Sequence, residues 1–437
     1  MDQLIPSLQQ LVAPFAPCFR VEVFQTFTSM LAAWIVCLGR RSISRVWETT
    51  GQASKRNHKA AFRLFSAAAW DWDEIACILG TLIVTYLVPG ATLWVVVDDT
   101  LCHKRGARVA FGGIFLDAVL SSKKHKIFRF GNNWVMLGIV VKIPCRTDRY
   151  FCLPVLWRVY EKKGKNNQKT HRTKGQLAAE MVLFMAEQWP TRKIVVVGDS
   201  AYVGQHLLKD RPANVQVLGP IRWDAALSTV AVEAGKRVGG ERLPTPKQMG
   251  ADARWPLQTL TVDFGTVKRE LQIKVIKDVC WDHAAGRAPL QVVLVRDVLG
   301  VWRDEALVTT DLSLTAAEMI VGYCRRWSVE VAFGDAKQLL GFHDPQVYCR
   351  SSVERAAPMA WFAGSLVVLW YVLSGQDGPQ AARERPWYRH KVSPTFADML
   401  ASCRLCHWQA WLDAKSASKA ELDEKWAWLL NYIATAT

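Results

Sequence analysis

Apolar and polar positions follow two different periods along this chain, and the switch between them marks its organisation. From residue 19 to 38 apolar residues recur at helical spacing, and residues 1 to about 75 are expected to be helical. From Ala91 the period changes. Thr92-Leu-Trp-Val-Val-Val-Asp98-Asp99-Thr100 is a continuous β-rich apolar run, which predicts a central strand buried on both faces with carboxylates at its C-terminal end. Runs at 134–142 and 150–160 predict two more strands, and 173–188 a helix. Lys193-Ile-Val-Val-Val-Gly-Asp199 then predicts a second buried strand ending in aspartate, and 203–208 a short helix. The order β-β-β-α-β-α describes a mixed α/β sheet, not an alternating Rossmann pattern. Residues 211–310 carry short β-branched runs between Gly- and Pro-bearing loops, a β-rich insertion. One helix is expected over 314–340, then an apolar helix at 356–373, a connector and a helical tail.

Within the 314–340 helix, Tyr323, Arg326, Glu330 and Lys337 fall in a sector of roughly 60°. A core-facing stripe would be apolar, whereas this one carries four different polar groups. Arg326 and Glu330 also suit simple i,i+4 pairing on a surface helix.

Composition changes the picture in one direction. The formal charge of +16 points to a polyanionic partner, nucleic acid or an anionic membrane surface. Lys104, Arg105, Arg108, Lys123, Lys124, Lys126 and Arg129 form one basic cluster, and residues 162–174 another, both flanking the acidic strand ends. Phosphate tracking is the expected role. In the N-terminal region a short helix, a glycine turn at Gly51 and a basic helix suit a helix-turn-helix-like DNA reader, with Arg56, Lys59 and Arg63 on one face.

The eleven cysteines are an odd count, and Met1-Asp-Gln-Leu lacks a basic leader, so free thiols in a reducing cytosol are expected. The pattern Cys403-x2-Cys406-His407 matches haem attachment only formally. The run 356–373 is interrupted by Pro358, Gly364 and Ser365 and is expected as a core helix, with no membrane partner.

Three acids stand out: Asp99 or Asp98, Asp199 and Glu330. Strand ends facing a helix can bring them together, and converging carboxylates require a cation. Oxygen-only ligation selects Mg²⁺ or Mn²⁺, and two such ions would serve in-line attack on phosphate. A GxxxxGK phosphate loop is absent from the sequence, which argues against nucleotide hydrolysis and a small-molecule substrate.

The segment Tyr323-x2-Arg326-x3-Glu330-x6-Lys337 resembles the Tyr-Arg-Glu-Lys signature of DDE transposases from bacterial insertion sequences. Val-Asp-Asp99-Thr and Gly-Asp199-Ser-Ala-Tyr resemble that family's two aspartate motifs. The resemblance covers roughly residues 90–345. It implies a ribonuclease-H-like mixed-sheet catalytic core (90–210 and 311–375) interrupted by a β-rich insertion (211–310). A helical DNA-binding region (1–75) would precede it and a helical region (376–437) follow. It further implies cut-and-paste DNA transposition through hairpins, by a homodimer acting on inverted repeats and target DNA in the bacterial cytoplasm, at the nucleoid. Asp99, Asp199 and Glu330 would bind two Mg²⁺ ions, Asp99 being taken because the family's aspartate directly precedes a threonine-like position. Tyr323, Arg326, Trp327 and Lys337 would contact DNA, and Trp302 would stack on a flipped base. A nuclease lacking strand transfer and an inactive DNA-binding relative remain as alternatives.

Overall fold

A computed structural model of the chain describes residues 3–51, 57–164, 167–233, 236–265, 267–378, 391, 393–413 and 419–434. Arg56 therefore lies outside the described residues. Five helices open the chain: α1 (Pro6–Val12), α2 (Val21–Val36), α3 (Ile43–Thr49), α4 (Lys59–Ser66) and α5 (Trp72–Leu87). Strands β1 (Thr92–His103), β2 (Gly113–Leu116), β3 (Phe128–Ile143) and β4 (Arg146–Tyr160) follow, then α6 (Lys174–Gln188), β5 (Lys193–Val197), α7 (Gln205–Leu208) and β6 (Val215–Pro220). Thr173 caps α6 through a reciprocal box with Gln176, satisfying N–H groups that a helix start leaves unpaired.

These strands form a sheet in the order β4-β3-β1-β5-β6. β3 runs antiparallel to both β4 and β1, while β1, β5 and β6 run parallel. β1 is central, and Leu93, Val95, Val96 and Val97 are fully buried, as a strand covered on both faces requires. β2 pairs with the start of β3 at the sheet edge.

The β-rich stretch comprises β7 (Ser228–Glu233), β8 (Lys236–Arg242), α8 (Pro246–Ala251), β9 (Gln258–Asp263), β10 (Lys268–Trp281), α9 (Asp282–Ala285), β11 (Gly286–Arg296) and β12 (Glu305–Thr309). It is not a detached module. β12 pairs antiparallel with β6, and β11, β10, β7 and β8 continue the same twelve-stranded sheet. Residues 215–220, expected at the start of the insertion, belong to the parallel part of the sheet.

The single helix expected over 314–340 is two: α10 (Ala316–Cys324) and α11 (Trp327–Leu339). Between them Arg325 and Arg326 keep helical dihedrals, but Arg325, Arg326, Ser328 and Val329 donate to the carbonyls of Gly322, Tyr323, Arg325 and Arg326 three residues back. This tightened turn separates the two helices. Helices α12 (Arg350–Ala356), α13 (Met359–Trp370), α14 (Phe396–Asp413) and α15 (Lys419–Ala434) complete the described chain. Residues 350–375 are long and apolar enough to cross a membrane, yet 83% of their most apolar window is buried within the molecule. Trp361 of α13 packs between Trp134, Trp157 and Phe342, so this is a core helix.

Candidate active site

Parallel pairing of β1 with β5 sets Val96 opposite Val197. Carried two residues further, that register places Asp98 level with Asp199, side by side on one face. Asp199 lies just past the end of β5, where its carboxylate accepts the Ala201 N–H at 2.8 Å. Gly219 on neighbouring β6 permits the close approach there, since a Cβ would lie 2.4 Å from the Gly198 carbonyl oxygen.

Asp98 is largely buried, and burial, followed by the neighbouring Asp199 carboxylate, pushes its carboxyl up to about 7. The Arg326 guanidinium answers part of this charge. Its Nη1 stands 3.1 Å from Asp98 Oδ2, and its Nη2 3.2 Å from Glu330 Oε1 on the first turn of α11. The turn between α10 and α11 thus presents an arginine that bridges two of the acids and is itself only 13% exposed.

Asp99, expected as the first metal ligand, occupies the opposite face of β1. Its carboxylate accepts from Lys174 at 2.6 Å, at the start of α6, and from the buried Tyr202 hydroxyl at 2.8 Å. Alternation along a strand allows only one of two neighbours to face a given side, and here Asp98 takes the side of Arg326.

The other expected residues are spread along this face. Tyr323 is half-buried, its hydroxyl shifted upward by burial, and it lines an open cleft with Asp199, Trp223, Arg303 and Glu305. Trp327 is exposed beside the Arg326 guanidinium. Lys337 lies two turns further along α11, toward the end of β1, and makes no ion pair among the described residues. Burial lowers its ammonium from the ordinary value. Trp302 is engaged within the insertion, 4.5 Å from the Phe264 ring and 5.0 Å from the Arg269 guanidinium. Lys59 and Arg63 are exposed on α4, distant in sequence from the acids.

Sequence reasoning missed Glu305. It opens β12, beside Arg303 and within the electrostatic reach of Arg326, and burial raises its carboxyl. Nothing in the local sequence marks it, because its position depends on β12 joining β6.

Among the described residues no three His, Cys, Asp or Glu side chains stand close enough together to hold a metal ion. The donor set still fits a hard divalent cation in kind. Asp98 and Asp199 are neighbouring carboxylates in a half-buried cleft, and an arginine occupies a cation's position between Asp98 and Glu330.

A family model described as a DDE superfamily endonuclease matches residues 14–274, a span that contains Asp98 and Asp199 and ends before Glu330. No curated protein matches the chain.

Proposed function

The chain belongs to the DDE superfamily endonucleases, and from that membership we propose that it is the transposase of an insertion sequence. It excises its element by cut-and-paste chemistry through DNA hairpins and joins the freed 3′ ends to target DNA. The observation that carries this reading is the alignment of Asp98 with Asp199 across parallel strands, with Arg326 connecting Asp98 to Glu330 on the facing helix. The strand order β4-β3-β1-β5-β6, antiparallel then parallel, supports the expected ribonuclease-H-like core.

Asp98, Asp199 and Glu330 would hold divalent cations, Mg²⁺ with Mn²⁺ as substitute. Bound there, such ions lower the pKa of an attacking water or 3′-hydroxyl and stabilise the leaving oxygen. The chain's own residues do the rest. Arg326, whose planar donor fork now spans Asp98 and Glu330, would offer that fork to a DNA phosphate beside the acids. Tyr323 presents its hydroxyl from the cleft wall beside Asp199, and Lys337 offers its ammonium further along the same helix.

The test is cleavage of duplex DNA taken from the flanks of the coding sequence, in Mg²⁺. Wild type is expected to nick it at a defined end. Asp98→Ala, Asp199→Ala and Glu330→Ala should each lose roughly a thousandfold or more in rate while keeping their circular dichroism. Cleavage by Asp199→Ala at the wild-type rate would remove the assignment.

A further inference from the structure

The sheet edge formed by β2, β3 and the turn joining them carries chemistry that the acid site does not use. Residues 101–130 contain seven lysines and arginines and a single acid, Asp117. That acid is buried and committed. Its Oδ2 lies 2.6 Å from His103 Nε2, and its Oδ1 accepts the backbone N–H groups of Val119 and Leu120, each at 3.1 Å. The turn is held further by the Asp117 N–H donating to the Ile127 carbonyl and the Ile127 N–H donating to Ser121 Oγ. The turn is therefore braced by its own hydrogen bonds.

What this fixed turn displays is apolar. Val119 is 80% and Leu120 47% exposed in its first half, and Ile114, Leu116 and Phe128 are exposed on the adjoining strands. Ile114 and Leu116 share a face of β2, and Phe128 is the pairing partner of Leu116, so these side chains form one patch. Lys123, Lys124 and Lys126, all exposed, follow Leu120 in the same turn. A contiguous apolar patch of this kind marks an interaction surface. A second copy of the chain would bring the same cations against themselves, whereas a polyanion neutralises them.

We propose that residues 117–127 form a DNA-distorting finger: Lys123, Lys124 and Lys126 hold phosphates, and Val119 and Leu120 wedge against base steps in the minor groove. Apolar wedges flanked by cations kink duplexes in this way. The His103–Asp117 bond ties the finger to β1, the strand that carries Asp98. His103 is five residues beyond Asp98, about 16 Å along the strand or roughly five base-pair steps of DNA. The bend would thus fall close to the cleavage point. This inference rests on the DNA-acting reading above.

The experiment uses full-length protein and a labelled duplex of the flanking DNA with 2-aminopurine placed several base pairs from the cut. Val119→Ser/Leu120→Ser is expected to bind about tenfold more weakly, with an unchanged salt slope, and to lose the fluorescence increase that reports unstacking. Replacing Lys123, Lys124 and Lys126 with Ala is expected to flatten the slope of log affinity against log salt by about 3. If wild type binds and both variants match it in affinity, slope and fluorescence, the finger is refuted while the DNA-acting reading stands. A wild-type dimer that the serine pair converts to monomer would put a second copy on the patch and also refute it. If wild type binds no DNA, both readings fall together.

Discussion

Asp98 and Asp99 are adjacent in sequence and opposite in surroundings. Asp98 faces Asp199 and Arg326, while Asp99 joins Lys174 and Tyr202 behind the strand. Asp98→Asn is predicted to abolish cleavage and to remove the rise in melting temperature that millimolar Mg²⁺ gives wild type. Asp99→Asn keeps a hydrogen-bond acceptor for Tyr202 and loses only the charge pair with Lys174. It should retain cleavage within about tenfold and cost about 1 kcal/mol by thermal denaturation. The reverse pattern would return the ligand to Asp99. A second residue supplies a pH prediction. Asp335 on α11 lines a small apolar crevice against β4, and burial raises its carboxyl to about 6, with Arg149 opposing. A carboxyl raised in the folded state leaves stability intact below its unfolded value near 4 and removes it as pH climbs toward 6. Asp335→Asn should therefore match wild type below pH 4 and exceed it by about 1–3 kcal/mol above pH 7, as read by urea unfolding at each pH.

The break between α10 and α11 gives the cleft its wall. Had one straight helix run from 316 to 339, Tyr323, Arg326, Glu330 and Lys337 would have lined a single stripe, as their spacing suggested. The tightened turn instead sends Tyr323 to the Asp199 cleft and Lys337 toward the end of β1. Both helices are held against the strand: the Arg325 guanidinium lies 3.8 Å from the centre of the Trp94 ring. At Gly322 a Cβ would come within 2.7 Å of that same ring and 2.9 Å of Leu218. Gly322→Ala is predicted to cost about 1–3 kcal/mol by overpacking and to reduce cleavage by displacing Arg326, measurable by thermal melting alongside the DNA assay. The four polar identities were legible from sequence. The break was not, because Arg325 and Arg326 are good helix formers and only packing on Trp94 reveals the turn.

Across the molecule, the insertion and the acid-bearing core share one sheet through β6 and β12. Hydrogen exchange in rising denaturant is expected to release amides of β1, β3, β10 and β11 in one cooperative step; separate release of β10 and β11 would indicate an independent unit. The strands β1 and β5 were readable because a short, continuous Val-rich run suits a buried strand far better than a helix, but β1 continues past its acids to His103, so Asp98 and Asp99 lie within the strand and not at the end the sequence suggested. Membership of β6 in the parallel sheet was hidden, since a short apolar run does not reveal its partner. The choice between Asp98 and Asp99, and the presence of Glu305 in the cleft, likewise required strand registers that only the folded chain supplies. The proposed function requires DNA joining by the site that Asp98, Asp199 and Glu330 frame. Its most direct measurement incubates the protein with labelled flanking DNA, a supercoiled plasmid and Mg²⁺, and follows the labelled 3′ end. Covalent transfer of that end into the plasmid is expected from wild type and none from Asp98→Asn. Cutting of the flank with no joined product would contradict it and leave an endonuclease.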